Sequence, residues 1–140
     1  MSDITYIDGW PQPYPLLDAQ PYWAALNREE LTYQRCTACD QAVWPAHSEC
    51  PHCGAQALEW RPASGRGRVY SFSTVHRGST KHWQARVPYT VGFIAMEEGY
   101  HLFTEIVAAP ESIAIEMPVT VRFETRGAQV LPVFVPEGGA

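Results

Sequence analysis

Hydrophobic and polar positions change rhythm along the chain. In the first twenty residues Trp10, Tyr14, Leu16 and Leu17 are interleaved with Pro11, Pro13 and Pro15. Proline fixes φ and withholds a backbone donor, so the stretch predicts an extended arm whose apolar groups need a surface to lie on. From Asp18 the spacing turns helical. Asp18 is a candidate N-cap, Pro21 falls in the first turn where its missing N–H costs little, and Tyr22, Trp23, Leu26 and Leu31 form one apolar stripe.

After Pro62 the period drops to two. Between Arg68 and His76, Tyr70, Phe72 and Thr74 predict one face of a strand and Val69, Ser71 and Val75 the other. Residues 89–96 and 101–107 flank Glu97-Glu98-Gly99-Tyr100, a hairpin in which Gly99 supplies positive φ. Residues 119–124 and 129–135 flank Arg126-Gly127-Ala128 in the same way. Pro132 removes a ladder donor, which predicts an edge or interrupted last strand. Between the third and fourth strands, Pro110 to Pro118 is a connector with a helical turn at 111–114. Five short antiparallel strands with a longer connector after the third predict a Greek-key barrel of the OB type. The fold class is therefore mainly β, divided into an arm and helix at 1–34, a cysteine-bearing segment at 35–61 and the barrel at 62–140.

The middle segment carries the strongest chemical signal. Cys36-Thr-Ala-Cys39 and Cys50-Pro-His-Cys53-Gly54 are two-residue-spaced pairs with ten residues between them. Two such knuckles bring four thiolates to one ion, and four sulfurs leave no position for water or substrate, so the predicted role is a structural zinc site. Iron is the alternative metal, because Cys-Pro-X-Cys-Gly also occurs in rubredoxins; a disulfide framework is the other alternative. The N-terminus lacks the basic and apolar regions of a signal peptide and no window approaches ~18 apolar residues, so the chain reads as cytoplasmic, where thiols stay reduced. His47 and His52 lie beside the knuckles, yet four thiolates already satisfy the ion.

With 46% hydrophobic, 12% aromatic and 18% charged residues, wholesale disorder is excluded. The formal net charge of −5 is uneven: no Asp or Glu occurs between Arg61 and Arg86, where Arg61, Arg66, Arg68, Arg77, Lys81 and Arg86 all fall. The asymmetry suggests a local anion site and argues against a protein-wide affinity for nucleic acid. A solvated loop with scattered arginines is the plain alternative. Catalytic signals are missing. His76, His82 and His101 stand beside no serine or cysteine in a nucleophile arrangement, and no cysteine is spare. Gly65-Arg66-Gly67 enters a strand and lacks the Lys-Ser/Thr ending of a phosphate loop, so it reads as a turn. Trp44 and Trp83 are candidate stacking platforms for an adenine ring, or simply loop anchors.

In order, Pro21-Tyr22-Trp23, Gln34-Arg35-Cys36-X-X-Cys39, Trp44-Pro45, Cys50-Pro51-His52-Cys53-Gly54, Gly65-Arg66-Gly67-Arg68-Val69-Tyr70-Ser71-Phe72, Val75-His76-Arg77, Pro88-Tyr89, Glu98-Gly99, Met117-Pro118-Val119 and Pro132-Val133-Phe134 carry a family resemblance. The chain resembles the acyl-CoA-associated DUF35-type proteins, with an N-terminal helical arm, a rubredoxin-like zinc ribbon and an OB fold. The resemblance implies zinc on Cys36, Cys39, Cys50 and Cys53, and CoA or acyl-CoA as ligand. It also implies a non-catalytic accessory subunit in a hetero-oligomer with a thiolase-like enzyme (thiolase, aldolase or acyltransferase) or an enoyl-CoA hydratase, with ribbon and arm against the partner. A cationic loop holding an aromatic suits CoA's phosphates. Arg77, Lys81 and Arg86, followed by Arg66 and Arg68, are the expected phosphate contacts, and Trp83 or Tyr89 the stacking or pantetheine contact. The competing expectations are a module for single-stranded nucleic acid, against which the net acidity weighs, and a stand-alone acyl-CoA hydrolase, which lacks a nucleophile.

Overall fold

Paired turns and prolines set the course of the arm. The computed structural model describes residues 4–14 and 16–138; the expectations for Pro15 and for the chain's ends at 1–3 and 139–140 lie outside them. Strand β1 (Tyr6–Ile7) folds back on β2 (Trp10–Pro11) through Asp8 and Gly9, at φ 53° and 84°. Gln12 then ties the arm to the far end of the chain: its Nε2 donates to the Arg126 carbonyl (3.1 Å) and its Oε1 accepts from Ala128 N (3.2 Å).

Asp18 does not cap the helix. It lies inside a 3-10 turn, Leu17–Ala19, and helix α1 (Gln20–Leu26) starts after Ala19, which has no side-chain cap bond. Pro21 does occupy the first turn, where no intrahelical donor is required. Tyr22, Leu26 and Leu31 are buried and Trp23 packs against them. The helix end is fastened to the barrel, since Asn27 Oδ1 accepts from Val130 N (2.9 Å) and Gln129 Nε2 donates to the Trp23 carbonyl (3.0 Å).

The cysteine segment is built on a three-stranded antiparallel sheet. Its centre is β3 (Thr32–Cys36), flanked by β4 (Ala42–Val43) and β5 (Leu58–Pro62). The barrel follows: β6 (Arg66–Val75), β7 (Tyr89–Met96), β8 (His101–Ile106), β9 (Pro118–Arg126) and β10 (Gln129–Pro136). A short helix α2 (Lys81–Gln84) interrupts the β6–β7 connection. The strands close in the order β6–β7–β8–β10–β9–β6, antiparallel except for β8 beside β10, which is the five-stranded OB arrangement. Gly99 (φ 100°) and Gly127 (φ 67°) make the two hairpin turns expected of them. The turn after β8 is a 3-10 turn at Pro110–Ser112, not at 111–114, because Pro110 supplies its first position. Val69, Ile94, Ile106, Val119 and Phe134, at most 1% exposed, form the centre of the core. No helix among the described residues is long and apolar enough to cross a membrane.

Two further expectations need correction. The ladder shifts between Val69, opposite Ile94, and Ser71, opposite Phe93, so Tyr70 is bulged. Paired residues share a face, and Ser71 therefore lies on the opposite face from Val69. Nor is β10 an edge strand: it pairs with β9 along its whole length and the barrel is closed. Its interruption is on the β8 side, where the ladder consists of Phe134 opposite Ile106, and the Pro132 carbonyl accepts the Thr104 hydroxyl at 2.9 Å.

Gly92 sits opposite Phe72, next to this bulge, with no room for a side chain. An added Cβ would lie 2.2 Å from the Ser71 carbonyl oxygen and 3.1 Å from Phe72 Cα, and neither backbone atom can yield. Gly92→Ala is expected to cost about 1–3 kcal/mol, read as a lower urea midpoint at unchanged slope.

Candidate functional site

The two knuckles are built alike. Asp40 N donates to the Cys36 carbonyl and Gly54 N to the Cys50 carbonyl, both at 2.8 Å; Cys36 N reaches the Gln41 carbonyl and Cys50 N the Ala55 carbonyl, both at 3.0 Å. The residue after each second cysteine takes positive φ, 61° at Asp40 and 79° at Gly54. This turns the sulfurs inward: all four Sγ atoms lie within 4.8 Å of one another, with Cys36–Cys53 at 3.7 Å and Cys39–Cys50 at 3.6 Å. A zinc tetrathiolate with bonds of about 2.3 Å has edges of about 3.8 Å, so the donor set fits one tetrahedral ion and closes its coordination sphere. Backbone N–H groups of Cys39 and Ala38 hold the Cys36 thiol down at about 7, whereas burial pushes Cys39 up to about 12. Ionising the whole set near neutrality thus takes the charge of the metal itself. His47 and His52 turn their rings to carbonyls, Nδ1 of the former 2.6 Å from Pro45 O and Nε2 of the latter 3.3 Å from Ala42 O.

The ribbon also positions a loop. Gln34 exchanges two hydrogen bonds with the backbone of His47, its Nε2 donating to O at 3.0 Å and its Oε1 accepting from N at 2.8 Å. Trp44 is held there edge-on to Tyr22, ring centroids 4.6 Å apart, and tilted against Tyr100 at 5.8 Å. Burial raises the phenol pKa of both tyrosines, so both stay neutral. Trp44, Pro45 and Ala46 form one wall of a cavity of 510 Å³. The arm and α1 supply a second wall, Trp83 of α2 a third, and β7, β8 and β10 the floor, including Tyr89, Leu102, Phe103 and Leu131. Its size is that of a small-molecule site, and its lining is mostly aromatic and aliphatic.

At the end of this cavity lies a buried charge cluster. Arg126 (side chain 8% exposed) pairs with Glu105 (10% exposed) at 2.5 Å and with Glu124 at 2.7 Å; Arg86 reaches Glu105 at 3.2 Å. Trp10 of the arm packs on both guanidinium groups, 4.5 Å from that of Arg126 and 4.8 Å from that of Arg86, and meets Trp83 edge-on at 5.2 Å. Desolvated contacts of this type are worth up to about 2 kcal/mol each. Trp10→Ala is expected to release the arm without unfolding the barrel, seen as a roughly tenfold or greater gain in amide exchange over residues 5–14.

The structure brings together some of the expected contacts and separates others. Trp44, Trp83 and Tyr89 meet in the cavity. Arg86 faces Glu105, while Arg66 pairs with Glu97 (3.2 Å) and Arg68 donates to the Glu116 carbonyl (3.0 Å) beside a hollow of 170 Å³ at the start of β6. Arg77 and Lys81 are exposed on the β6–β7 connection, with no carboxylate partner among the described residues. The five cations therefore do not converge on one point. Glu105 and Arg126 escaped the sequence reading, since nothing local distinguishes them from solvated strand residues. Next to the cavity rim, the outer face of β6–β8 is bare: Tyr70 stacks on His101 at 4.5 Å and Phe93 meets Phe103 at 5.1 Å, the last 58% exposed.

Two family models match the chain in succession, the rubredoxin-like zinc ribbon domain of ChsH2 over residues 23–59 and the C-terminal OB-fold domain of ChsH2 over residues 60–124. A probable enoyl-CoA hydratase alpha subunit of Thermomonospora curvata is 35% identical over 128 residues, which is 90% of this chain and 40% of that one. The benzoylsuccinyl-CoA thiolase subunit BbsA of Thauera aromatica is 33% identical over 91 residues, 65% of this chain and 61% of its own. The chain thus spans less than two thirds of either relative. Among solved structures, a chain of an Ltp2-ChsH2(DUF35) aldolase superposes with a TM-score of 0.82 at 33% identity, covering 90% of this chain and 99% of that one.

Proposed function

From the premise that this chain belongs to the ChsH2-type DUF35 family of zinc-ribbon and OB-fold proteins, we propose that it is a non-catalytic accessory subunit. It assembles with a thiolase-like or enoyl-CoA hydratase-type enzyme and helps to hold that enzyme's CoA thioester. The observation that carries this reading is a ligand-sized cavity in a chain whose metal-type cluster is coordinatively closed. Relatives named as subunits of a hydratase and of a thiolase, and a solved aldolase, support the class of partner.

In this reading the residues divide the work. Cys36, Cys39, Cys50 and Cys53 hold zinc, which supplies rigidity and no bond-making, and thereby set the Trp44 wall. Trp83 and Tyr89 line the path of the thioester, while the free cations beside them, Arg77 and Lys81, meet phosphate at the rim. Arg86 is engaged by Glu105, and Arg66 and Arg68 lie at the start of β6, so their contribution is secondary.

The test is to purify the tagged chain from its source under native conditions, identify what accompanies it, and assay acyl-CoA turnover by that protein with and without the chain. A stoichiometric thiolase-fold or hydratase-fold enzyme whose turnover depends on the chain is the expected result. Turnover by the isolated chain would refute the non-catalytic role. One observation favours a second reading: Tyr70, Phe93 and Phe103 are bare on the face that OB folds offer to bases. Salt-dependent binding of an oligothymidylate, with no enzyme recovered, would move the single-stranded nucleic-acid module into first place.

A further inference from the structure

The geometry points to the cavity as a receptor for the acyl end of the thioester, admitting a bulky uncharged hydrocarbon or aryl group and excluding the nucleotide. This inference rests on the accessory-subunit reading for the thioester itself, but its argument is independent of which enzyme is the partner. Among the described lining residues Glu105 and Arg126 alone are charged, and they are paired to each other, with Arg126 paired a second time to Glu124. The Thr104 hydroxyl is taken by the Pro132 carbonyl. A phosphate or carboxylate entering the cavity would lose its water and meet no unpaired cation among the described lining residues, which is unfavourable, whereas an apolar group replaces water against Trp23, Trp44, Leu102 and Leu131. The volume of 510 Å³ is more than an acetyl group requires. Arg77 and Lys81, without carboxylate partners among the described residues, stand outside, on the connection that carries Trp83, so a charged head outside and an apolar tail inside is the orientation the wall permits.

The roof comes from the arm: Tyr14, Leu16 and Ala19 border the cavity, and the Trp10 cluster anchors that segment. Access to the acyl pocket therefore runs past a strap held by the Trp10 cluster and by the two Gln12 hydrogen bonds to Arg126 and Ala128.

The test uses the full chain, with its partner where one co-purifies, and four probes: free CoA, acetyl-CoA, decanoyl-CoA and 1-decanol. Calorimetry gives affinity, and emission from the cavity tryptophans reports occupancy. Decanoyl-CoA is expected to bind at least about tenfold tighter than acetyl-CoA, and decanol to blue-shift the emission. Filling the cavity with Val91→Trp, or from the strap with Ala19→Trp, is expected to abolish the tenfold difference at unchanged zinc content and circular dichroism. Equal affinity for acetyl- and decanoyl-CoA would overturn the acyl pocket and leave the CoA-holding role intact. Equal affinity for decanol and decanoyl-CoA would uphold the apolar pocket and sink the CoA-holding role. Loss of partner assembly in both filled variants, with no probe bound to the wild-type chain, would show that a partner segment occupies the cavity, and would overturn the inference.

Discussion

Stripping the metal with a chelator, or replacing Cys50 by Ser, is expected to unfold the knuckles and loosen the whole segment from Thr32 to Pro62. Zinc binding by such sites is worth on the order of 10–16 kcal/mol near neutral pH, as much as the net stability of an entire domain. Cys36, Val43 and Cys50 form a small cluster of their own with little apolar surface besides Ala55, Ala57 and Leu58, so sulfur–metal bonds replace a core there. The damage spreads inward, because Tyr33 and Trp44 from the ribbon pack with Tyr22 and Tyr100 in the main core. The measurement is one equivalent of zinc per native chain, then amide spectra during chelation. Resonances of residues 32–62 should lose dispersion first, and apolar ligand binding should fall with them. Retention of native dispersion after complete metal loss would refute the structural role.

Glu105 is the second position where a single change is expected to cost much. It accepts from both Arg126 and Arg86, so Glu105→Ala leaves the half-buried Arg86 without a carboxylate and the buried Arg126 with Glu124 alone. Breaking a buried pair from one side costs about 3–5 kcal/mol when the charge left behind has no other partner; with Glu124 still on Arg126 and Arg86 reaching solvent, the expected cost is about 1–3 kcal/mol. Glu105→Gln should cost less, since the amide oxygen still accepts. Combining Glu105→Leu with Arg126→Leu should cost less than the sum of the single changes, because the Arg126–Glu105 contact is lost once and not twice. Urea denaturation of the five variants, Glu105→Ala, Glu105→Gln, Glu105→Leu, Arg126→Leu and the double change, checks the order. An additive double variant would mean that the two side chains do not interact.

Legibility in the sequence followed the distance over which each feature is encoded. The cysteine site depends on two four-residue knuckles, and its positive-φ positions immediately follow Cys39 and Cys53. The barrel was readable from strand length, from Gly99 and Gly127, and from the connector after β8. What failed depends on context. Asp18 has a capping residue's chemistry, but the chain makes a 3-10 turn through it before α1 begins. Ser71 changed face because the bulge at Tyr70 inserts one residue, which no alternation pattern reveals. The cationic island is real as a run of sequence, yet the barrel lays Glu97 of the β7–β8 turn beside Arg66 and Glu105 of β8 beside Arg86. The cavity had only scattered signs, seven aromatics spread over separate segments that meet only when arm, ribbon and barrel pack together.

The single bridge joining β8 to β10 bears on how this molecule breathes. A sheet resists opening roughly in proportion to the ladder that stitches it, and here three seams are long, β6–β9 is shorter, and the β8–β10 seam is a single stitch at Phe134 and Ile106. That weak seam runs through Leu102, Thr104, Leu131 and Pro132, which are also the floor of the cavity. Solvent exchange of β8 and β10 amides should accordingly be the fastest in the barrel wall, and an occupant spanning the floor should act as the missing stitches, slowing exchange there more than anywhere else.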